Sequence, residues 1–571
     1  MAKKGKFKSL IHNGVVLPPD YEPKGYKLNG ELIPNTGYDS AEEMLWHYSA
    51  YLSTDYVKAP VFNPNFYSCL RPTLSSSLSK LRFPDDFMPV LKQMSKDHEK
   101  EKESKAEYRK THKEELEKEK NERAAFYGIA QLDGKDQPVA YVVEGPGIFI
   151  ARGEAPLLGM WKYRTKPEDI TINYVGPKGG EPKAPEGHKW GCIEHNTNAM
   201  HIALYKVNVG NKTEKIKELR FGNTSDVKAN ADQKKFAKAA KLLCHMKEME
   251  AHIRNGMESS DEKRKQCAVA CWLIMNTGIR VGGEKDESIE ADTHGITTLT
   301  VSDVKVNEGA LVFDFFGKDS IRYQNTVRVP KFVSSYIKSF CKGKKSSEQI
   351  FNLIDAADIN KFLSECIEGV TAKTFRTSIA SMMFIDAFKK QNITKSATLR
   401  EKLNAFDMAN LEVAKKLNHK RAISKNFDSQ LERLDEQVKV AIEKEKQTTS
   451  KVKASLKKIE AEKERANKLL EGEALKVALK NLKDMEKKEK EKLEKAKEKV
   501  SQLSFKKDFK SKTMDIAIGT SKTNYITPLI AYSICNYFDI PISKIYTKTL
   551  QEKYKWAEKT SPQYWKKYPN V

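Results

Sequence analysis

Apolar residues recur at helical spacing in some parts of the chain and cluster as in strands in others. In "SAEEMLWHYSAYL" a serine precedes an apolar stripe, which predicts a short amphipathic helix capped by Ser40. Residues 127–225 hold β-branched and aromatic runs bounded by Gly and Pro, such as "DITINYV" and "MHIALYKVNV". This part is therefore predicted to be rich in strands.

Helical periodicity dominates residues 229–282 and 332–418. The apolar segment "CAVACWLIMNTGIRVGG" is predicted to end its helix at the glycine cluster that begins with Gly278. Between the two helical parts, "GITTLTVSDVKV" and "GALVFDFFGKDSIRYQNTVRVP" indicate short strands closed by turns. We expect a small sheet within a mainly helical region.

Two segments are dominated by charge. Residues 95–125 have almost no apolar stripe, and acid–base pairs at helical spacing favour a helical arm in solvent over a disordered linker. Residues 427–503 carry a thin apolar seam that predicts a coiled coil rather than a free charged rod. A turn at Glu471-Gly472-Glu473 would make it an antiparallel hairpin, so that "GTSKTNY" returns beside "LNHKR".

The composition indicates which class of partner the protein binds. The chain has 571 residues, enough for two or more domains, and 39% of them are hydrophobic. Its net charge of +24 attracts polyanions, and nucleic acid is the leading candidate. A soluble, lysine-rich protein without such a partner is the alternative.

The eight cysteines form no CxxC pair, which indicates free thiols and no zinc site. Cys267 and Cys271 lie one helical turn apart and are predicted to face a core. The first residues lack an apolar leader, and no apolar run approaches the roughly 20 residues that span a bilayer. We therefore expect a soluble intracellular protein with no membrane association.

"GTSKTNYITP" presents one phenol, that of Tyr525, directly after the charged hairpin. A tyrosine is a poor nucleophile unless cations stabilise the charge that develops in its reaction. Attack on a phosphodiester needs donors for two non-bridging oxygens and an acid for the leaving 5′ oxygen. Arginine suits the first task because its planar fork matches phosphate and keeps its charge.

Four residues could supply these groups, and each also has a purely structural interpretation. Arg280 follows an apolar helix, where it could simply face the helix dipole. Lys318 lies in a predicted β-turn, where an exposed lysine is ordinary, and Arg376 follows the capping Thr371 on a helix where a structural carboxylate usually pairs an arginine. His419 ends a helix, where a capping histidine is more common than a catalytic one.

The order Arg, Lys, Arg, His, Tyr resembles that of eukaryotic type IB DNA topoisomerases. Further motifs that resemble this family are "YEPKGYKLNGE", "GPGIFIARGE", "KPEDITIN", "PEGHKW", "ADTHGITTL", "GKDSIRY", "EGVTAKTFRTS", "LNHKR", "GTSKTNY" and "PISKIYTKTLQEKYKWA". The resemblance covers most of the chain.

The resemblance implies an α+β, mainly helical fold arranged as a bilobed DNA clamp. Residues 1–225 would form the strand-rich N-terminal cap, and residues 226–422 a helical catalytic core of tyrosine-recombinase type. Residues 423–504 would form the antiparallel coiled-coil linker, and residues 505–571 a small helical C-terminal domain that carries Tyr525.

The resemblance also implies ATP-independent relaxation of positive and negative supercoils, as replication and transcription generate them. Tyr525 would form a 3′-phosphotyrosine on duplex DNA while Arg280, Arg376 and His419 hold the phosphate and Lys318 protonates the leaving 5′ oxygen. No divalent metal or other cofactor is implied. The sequence agrees, since it has no G-x-x-x-x-G-K-[ST] loop and no carboxylate cluster of metal-binding spacing.

Four further residues match DNA contacts of the family: Lys228, Arg152, Asp319 and Asn524. The last three also match its contacts to camptothecin-type inhibitors. By the same resemblance we expect a nuclear monomer. The import sequence stays open, with "MAKKGKFK" and the basic runs of the hairpin as candidates.

Two other functions are compatible with part of this pattern. A tyrosine recombinase or integrase uses nearly the same five residues, but the cap motifs and the hairpin between His419 and Tyr525 argue against it. Lys373 also stands where recombinases usually have a histidine. A non-catalytic DNA clamp or scaffold predicts that some of the five residues are lost, and all five are present.

Overall fold

The computed structural model describes residues 6–210, 213–283, 291–424 and 426–567, and it is mainly helical with several small sheets. The predicted α+β, mainly helical class is thereby confirmed. Residues 1–5, part of the candidate import sequence, lie outside the described ranges.

The described residues belong to two compact units. Unit 1 takes its residues from Met1–Ala237, Val281–Ala356 and Lys548–Trp556. Unit 2 takes its residues from Lys238–Arg280, Ala357–Thr547 and Ala557–Val571. The predicted domain boundaries stay predictions, and each unit is described below by itself.

None of the helices that the structure describes is both long and apolar enough to cross a membrane. They are α1 (Ala41–Ser49), α2 (Phe62–Leu70), α3 (Met88–Thr111), α4 (Lys113–Tyr127), α5 (Asp226–Cys244), α6 (Met246–Met257), α7 (Glu262–Thr277), α8 (Lys331–Cys341), α9 (Ala356–Cys366), α10 (Ala372–Lys389), α11 (Leu399–Lys416), α12 (Phe427–Leu469), α13 (Gly472–Lys512), α14 (Ile518–Asn524), α15 (Pro528–Phe538) and α16 (Lys548–Lys553).

The strands that the structure describes all lie in unit 1 and are mostly short. They are β1 (Leu10–His12), β2 (Lys27–Leu28), β3 (Glu31–Leu32), β4 (Ile129–Leu132), β5 (Lys135–Pro138), β6 (Gly147–Ile148), β7 (Trp161–Lys162), β8 (Ile170–Asn173), β9 (Cys192–Glu194), β10 (His201–Val209), β11 (Thr213–Arg220), β12 (Val304–Asn307), β13 (Ala310–Gly317) and β14 (Ile321–Arg328).

The largest sheet is organised around β10, which pairs antiparallel with β11, β7 and β8. Toward its C-terminal end β10 alternates buried and exposed residues, so one face packs on a core. That core contains Ile170, Ile172 and Tyr205. The strand-rich character predicted for residues 127–225 is confirmed.

The helices in the N-terminal part of unit 1 also follow their sequence pattern. The side chain of Ser40 accepts a hydrogen bond from the backbone N–H of Glu43, as the predicted cap requires. The charged arm is helical, but it consists of α3 and α4, which meet at His112. Its buried residues are confined to the first turns of α3, so most of the arm is solvated.

A second feature of unit 1 is the antiparallel sheet of β12, β13 and β14. The turn between β13 and β14 consists of Lys318, Asp319 and Ser320. Asp319 and Ser320 have φ angles of +64° and +52°, so this turn is tight and left-handed. The predicted strands and their turn are confirmed at these positions.

In unit 2, α7 is buried along most of its length, and Cys267 and Cys271 face the core as predicted. The helix ends at Gly278, which has a φ of +72° and donates its N–H to the carbonyl of Ile274. A side chain here would also crowd α11, because a Cβ on Gly278 would lie 2.7 Å from the carbonyl oxygen of Lys416.

The predicted hairpin is confirmed as α12 and α13, which are joined at Leu470 and Glu471, with Gly472 at a φ of +63°. Two ion pairs show that the helices run antiparallel, Lys463 with Glu486 and Lys507 with Asp435. The apolar seam is buried mainly on the α12 side, and α13 continues to Lys512, beyond the predicted end of the linker.

We expect Gly278→Ala to destabilise unit 2, because an L-residue at positive φ costs about 1–2 kcal/mol and the new Cβ meets a backbone oxygen. Gly472→Ala is the matched control, since its φ is also positive but a Cβ there meets no described atom within 4 Å. Thermal unfolding should show the larger loss for Gly278→Ala. Equal shifts in the two variants would contradict the packing argument.

Candidate active site

Tyr525 lies in a short link between two helices of unit 2. It follows the last residue of α14, and α15 begins at Pro528, whose fixed φ suits a first helical position. The side chain is buried, and its ring centroid lies 5.1 Å from that of His419. The candidate nucleophile is therefore held within a packed environment, not on a mobile tail.

Arg376 lies in the second turn of α10, which Thr371 caps as predicted by accepting from the N–H of Thr374. Its Nη1 donates to the phenol oxygen of Tyr525 at 2.9 Å, and its Nε donates to the carbonyl of Gly278 at 3.0 Å. The guanidinium carbon also lies 4.9 Å from the centre of the tyrosine ring.

The guanidinium of Arg376 is buried, and burial lowers its pKa from the usual value. Tyr525 opposes this effect, whereas the positive charge of Arg280 adds to it. The sequence alone favoured a structural carboxylate as the partner of such an arginine. In the ranges that the structure covers, its hydrogen bonds go to a phenol and a carbonyl instead.

His419 follows α11 and is also buried. Its N–H donates to the carbonyl of Ala414 after a left-handed Asn418, so its backbone closes the helix as the capping interpretation expected. Burial, together with the positive charges of Arg376 and Arg280, lowers the pKa of the His419 ring to about 3. The imidazole is therefore neutral at neutral pH.

Three nitrogens of this cluster are buried and have no hydrogen-bond partner among the residues described: Nη2 of Arg376, and Nδ1 and Nε2 of His419. Buried polar atoms in proteins are nearly always paired. These atoms therefore mark a place where an external group could bind.

Arg280 lies two residues beyond Gly278 and is half-buried. It is close enough to Arg376 and His419 for its charge to lower the pKa of both. The structure thus brings together in unit 2 four of the five candidate catalytic residues: Arg280, Arg376, His419 and Tyr525. Their roles stay predictions.

The return of the hairpin explains how His419 and Tyr525 meet. Lys420 and Ile516 form an isolated antiparallel bridge. Around it the N–H of Ala517 donates to the carbonyl of His419 at 2.6 Å, and the N–H of Arg421 donates to the carbonyl of Asp515 at 2.7 Å. The predicted proximity of "LNHKR" and "GTSKTNY" is confirmed.

Lys318, the fifth candidate, is exposed at the first position of the β13–β14 turn in unit 1. The turn is tied to the loop of Arg152, because Oγ of Ser320 donates to the carbonyl of Arg152 at 2.9 Å. Arg152 and Asp319 line one cavity of about 500 Å³ within this unit, together with Phe149, Lys215 and Thr293.

The two remaining candidates lie on helices. Lys228 is half-buried in the first turn of α5 in unit 1, where its N–H donates to the hydroxyl of Ser225. Asn524 is exposed in unit 2, and its side-chain amide donates to the hydroxyl of Thr523. Among the residues covered here, no group of His, Cys, Asp and Glu is arranged to hold a metal ion.

The sequence does not single out three residues that hold Arg376 or the segment around Tyr525. The sequence indicates Gly278 only as a helix stop, whereas in the structure its carbonyl accepts a hydrogen bond from Arg376. Ser381 and Asn410 hydrogen bond the segment around Tyr525. A polar side chain on the buried stripe of an apolar helix is the pattern that could have found Ser381 and Asn410.

Family models match nearly the whole chain. The DNA binding fragment of eukaryotic DNA topoisomerase I matches residues 5–218, and the catalytic core of the same family matches residues 224–456. A C-terminal topoisomerase domain matches residues 497–567.

Individual relatives agree. The chain is 33% identical over 567 residues to DNA topoisomerase 1 alpha of Arabidopsis thaliana, covering 98% of this chain and 59% of the relative. It is 31% identical over 574 residues to human mitochondrial DNA topoisomerase I, covering 97% and 90% respectively. It is 29% identical over 570 residues to human DNA topoisomerase 1, covering 97% and 71%.

The chain therefore belongs to the eukaryotic DNA topoisomerase I family. It spans 59% of the length of the two Arabidopsis relatives that it matches.

We expect the His419 ring to show no titration between about pH 8 and about pH 5, because its pKa is lowered to about 3. The unfolded ring binds a proton that the folded ring excludes, so the free energy of unfolding should fall as pH drops below about 6.5. Carbon NMR of ¹³Cε1-labelled histidine measures the titration, and the resonance missing from His419→Gln identifies the residue. A midpoint near the ordinary histidine value would contradict the burial argument.

Proposed function

We propose that the chain is a type IB DNA topoisomerase, an isomerase that relaxes positive and negative supercoils through a transient 3′-phosphotyrosine. The observation that carries this proposal is the hydrogen bond from Arg376 to Tyr525, made beside three buried nitrogens that have no partner among the described residues. Such a site offers a nucleophile and the donors for an anion in the same place.

The proposed reaction begins with attack of the phenol oxygen of Tyr525 on a phosphorus of duplex DNA. The phenol proton passes to solvent, the bond from phosphorus to the 5′ oxygen breaks, and that oxygen takes a proton from Lys318. The cleaved strand then rotates around the intact one. The 5′-hydroxyl then attacks the phosphotyrosine and returns its proton to Lys318, and the released phenolate takes a proton from solvent. Both the strand and the phenol are restored, so no ATP is consumed.

Arg280, Arg376 and His419 would hold the non-bridging oxygens in the transition state. The free Nη2 of Arg376 and a protonated ring nitrogen of neutral His419 are donors without an acceptor among the described residues. Negative charge grows on these oxygens as the phosphorus becomes pentacoordinate, and buried donors stabilise that charge most strongly. These roles need no divalent metal and no other cofactor.

Double-stranded DNA is the proposed partner, and the two lobes would close around it as a clamp. The cap would be residues 1–225, the catalytic core 226–422, the linker 423–504 and the C-terminal domain 505–571.

The net charge of +24 favours binding to a polyanion such as DNA. The proposed DNA contacts are Lys228, Arg152, Asp319 and Asn524. We propose a monomer in the nucleus; one human relative is named as mitochondrial.

The cavity beside Arg152 and Asp319 supports a related proposal, that camptothecin-type inhibitors bind here. Both residues line the same space in unit 1, where the aromatic Phe149 offers a stacking surface and Lys215 a charge. Asn524 is proposed to complete the inhibitor contacts.

We expect Tyr525→Phe to slow relaxation of a supercoiled plasmid by more than about a thousandfold, because no oxygen remains to attack phosphorus. The assay uses a plasmid without special sites, EDTA and no ATP, and a gel shift should show unchanged DNA binding. Tyr532→Phe is the matched control, since Tyr532 is also buried in unit 2, on α15. It should relax DNA at the wild-type rate.

Relaxation that persists in Tyr525→Phe would remove the proposed mechanism. Recombined plasmids in place of relaxed circles would instead support the tyrosine recombinase.

The hairpin of α12 and α13 is proposed to contact DNA weakly and to slow rotation, because lysines and arginines outnumber acids along it. Removing residues 446–498 and joining the arms by a Gly/Ser turn leaves the Lys507–Asp435 pair at the base of the hairpin. We expect more turns released per cleavage event, measured by magnetic tweezers.

A full-length control separates charge from bulk. Lys487, Lys488 and Lys495 are exposed on α13, and the three substitutions to glutamine remove charge while keeping length. If the hairpin slows the rotation of DNA through its positive charge, the DNA should also rotate faster in this triple variant. Unchanged rotation in the shortened variant would show that the hairpin is a passive tether.

A further inference from the structure

The backbone of Tyr525 is held by a buried serine on α10. Oγ of Ser381 donates to the carbonyl of Tyr525 at 3.2 Å and accepts from the N–H of Thr527 at 3.1 Å. One hydroxyl therefore satisfies both backbone groups, one on the nucleophile itself and one two residues later. Ser381 is fully buried, so solvent water does not compete for these two hydrogen bonds.

A second buried side chain holds the helix that precedes the tyrosine. On α11, Oδ1 of Asn410 accepts from the hydroxyl of Ser521 at 2.6 Å, and its Nδ2 donates to the carbonyl of Ile518 at 3.0 Å. The carbonyl of Ser521 in turn accepts from the N–H of Tyr525 at 3.0 Å. Asn410 thus fixes α14, and α14 fixes the amide of the nucleophile.

The two anchors act on a residue whose phenol is held separately. Arg376 and Ser381 both lie on α10, so one helix binds the phenol oxygen of Tyr525 and also its carbonyl oxygen. We propose that Ser381 and Asn410 are positioning residues, which fix the backbone of Tyr525 so that its phenol oxygen stays aligned with Arg376. This inference rests on the proposed function, because alignment matters only if the phenol attacks a phosphate.

The physical reason is the distance dependence of attack. A nucleophile reacts efficiently only when it is held close to the target atom and in line with it, and small misplacements cost large factors in rate. Without Ser381 two buried backbone groups lose their partner, and the link of Tyr525 to α15 can move to recover one. The phenol would then leave the position in which Arg376 binds it.

Ser381→Ala tests this, and Ser533→Ala is a closely matched control. Ser533 is equally buried in unit 2, donates to the carbonyl of Ser561 at 2.7 Å and accepts from the N–H of Trp565 at 3.1 Å. Both serines bridge a carbonyl and an N–H, so both substitutions should cost similar stability. Only Ser381 contacts the nucleophile.

The measurement is single-turnover cleavage of a nicked duplex that traps the covalent complex, on the full chain, over a range of protein concentrations. For Ser381→Ala we expect the rate at saturation to fall about tenfold to a hundredfold, with an unchanged half-saturating concentration. Ser533→Ala should keep the wild-type rate. Equal slowing in both variants, or no slowing in Ser381→Ala, would overturn the proposal.

Asn410→Asp keeps the test decisive if Ser381→Ala does not fold. The carboxylate can accept from Ser521 but cannot donate to the carbonyl of Ile518, and a protonated carboxyl regains that donor. The rate relative to wild type should therefore be lowest at high pH and rise as pH falls. A ratio that does not change with pH would overturn the proposal. Wild-type protein that forms no covalent complex would instead refute the proposed function.

Discussion

The guanidinium of Arg376 is a buried positive charge that has no carboxylate partner in the residues that the structure describes. Burying an ion without a counterion costs several kcal/mol, and folded proteins usually avoid this or pair the charge. Here the charge is held by a backbone carbonyl and a phenol, with a second arginine close enough to disfavour it. An anion bound beside Arg376 would therefore offset this buried charge, and the described residues of unit 2 do not supply one.

The groups around Arg376 have properties that suit its buried positive charge. His419 stays neutral because two cations and burial exclude its proton, and a neutral ring can donate to an anion without adding further repulsion. Gly278 lets α7 end where its carbonyl reaches Arg376, and a larger residue would strike α11. The bridge of Lys420 with Ile516 closes the chain at the base of the long hairpin, and the entropy cost of bringing two chain ends together rises only slowly with the length between them.

Local chemistry made much of the fold predictable. Ser40 and Thr371 cap helices because their hydroxyls accept from free N–H groups, and Gly472 turns the hairpin because it tolerates positive φ. Cys267 and Cys271 face a core because they repeat at helical spacing. The order of the five candidate catalytic residues identified the family, and the structure brings four of them together in one unit.

Other features depend on contacts between distant segments and could not be read from spacing. Arg376 donates to the carbonyl of Gly278 at the end of α7, although an arginine on such a helix face suggests a carboxylate partner. Ser381 and Asn410 bind backbone groups more than a hundred residues away, and isolated polar residues on apolar helices often only satisfy themselves locally. The last turns of α13, up to Lys512, likewise pack on a distant segment, since Phe509 contacts the buried cluster that contains Leu411.

The central claim is that the phenol oxygen of Tyr525 forms a transient covalent bond with a phosphate of DNA. The most direct measurement is to stop the reaction with denaturant, digest the protein and the DNA, and identify the modified peptide and the strand ends by mass spectrometry. The account predicts a nucleotide joined through its 3′ phosphate to Tyr525 and a free 5′-hydroxyl on the other side of the break. A link to a different residue, or a 5′-phosphotyrosine with a free 3′-hydroxyl, would contradict it.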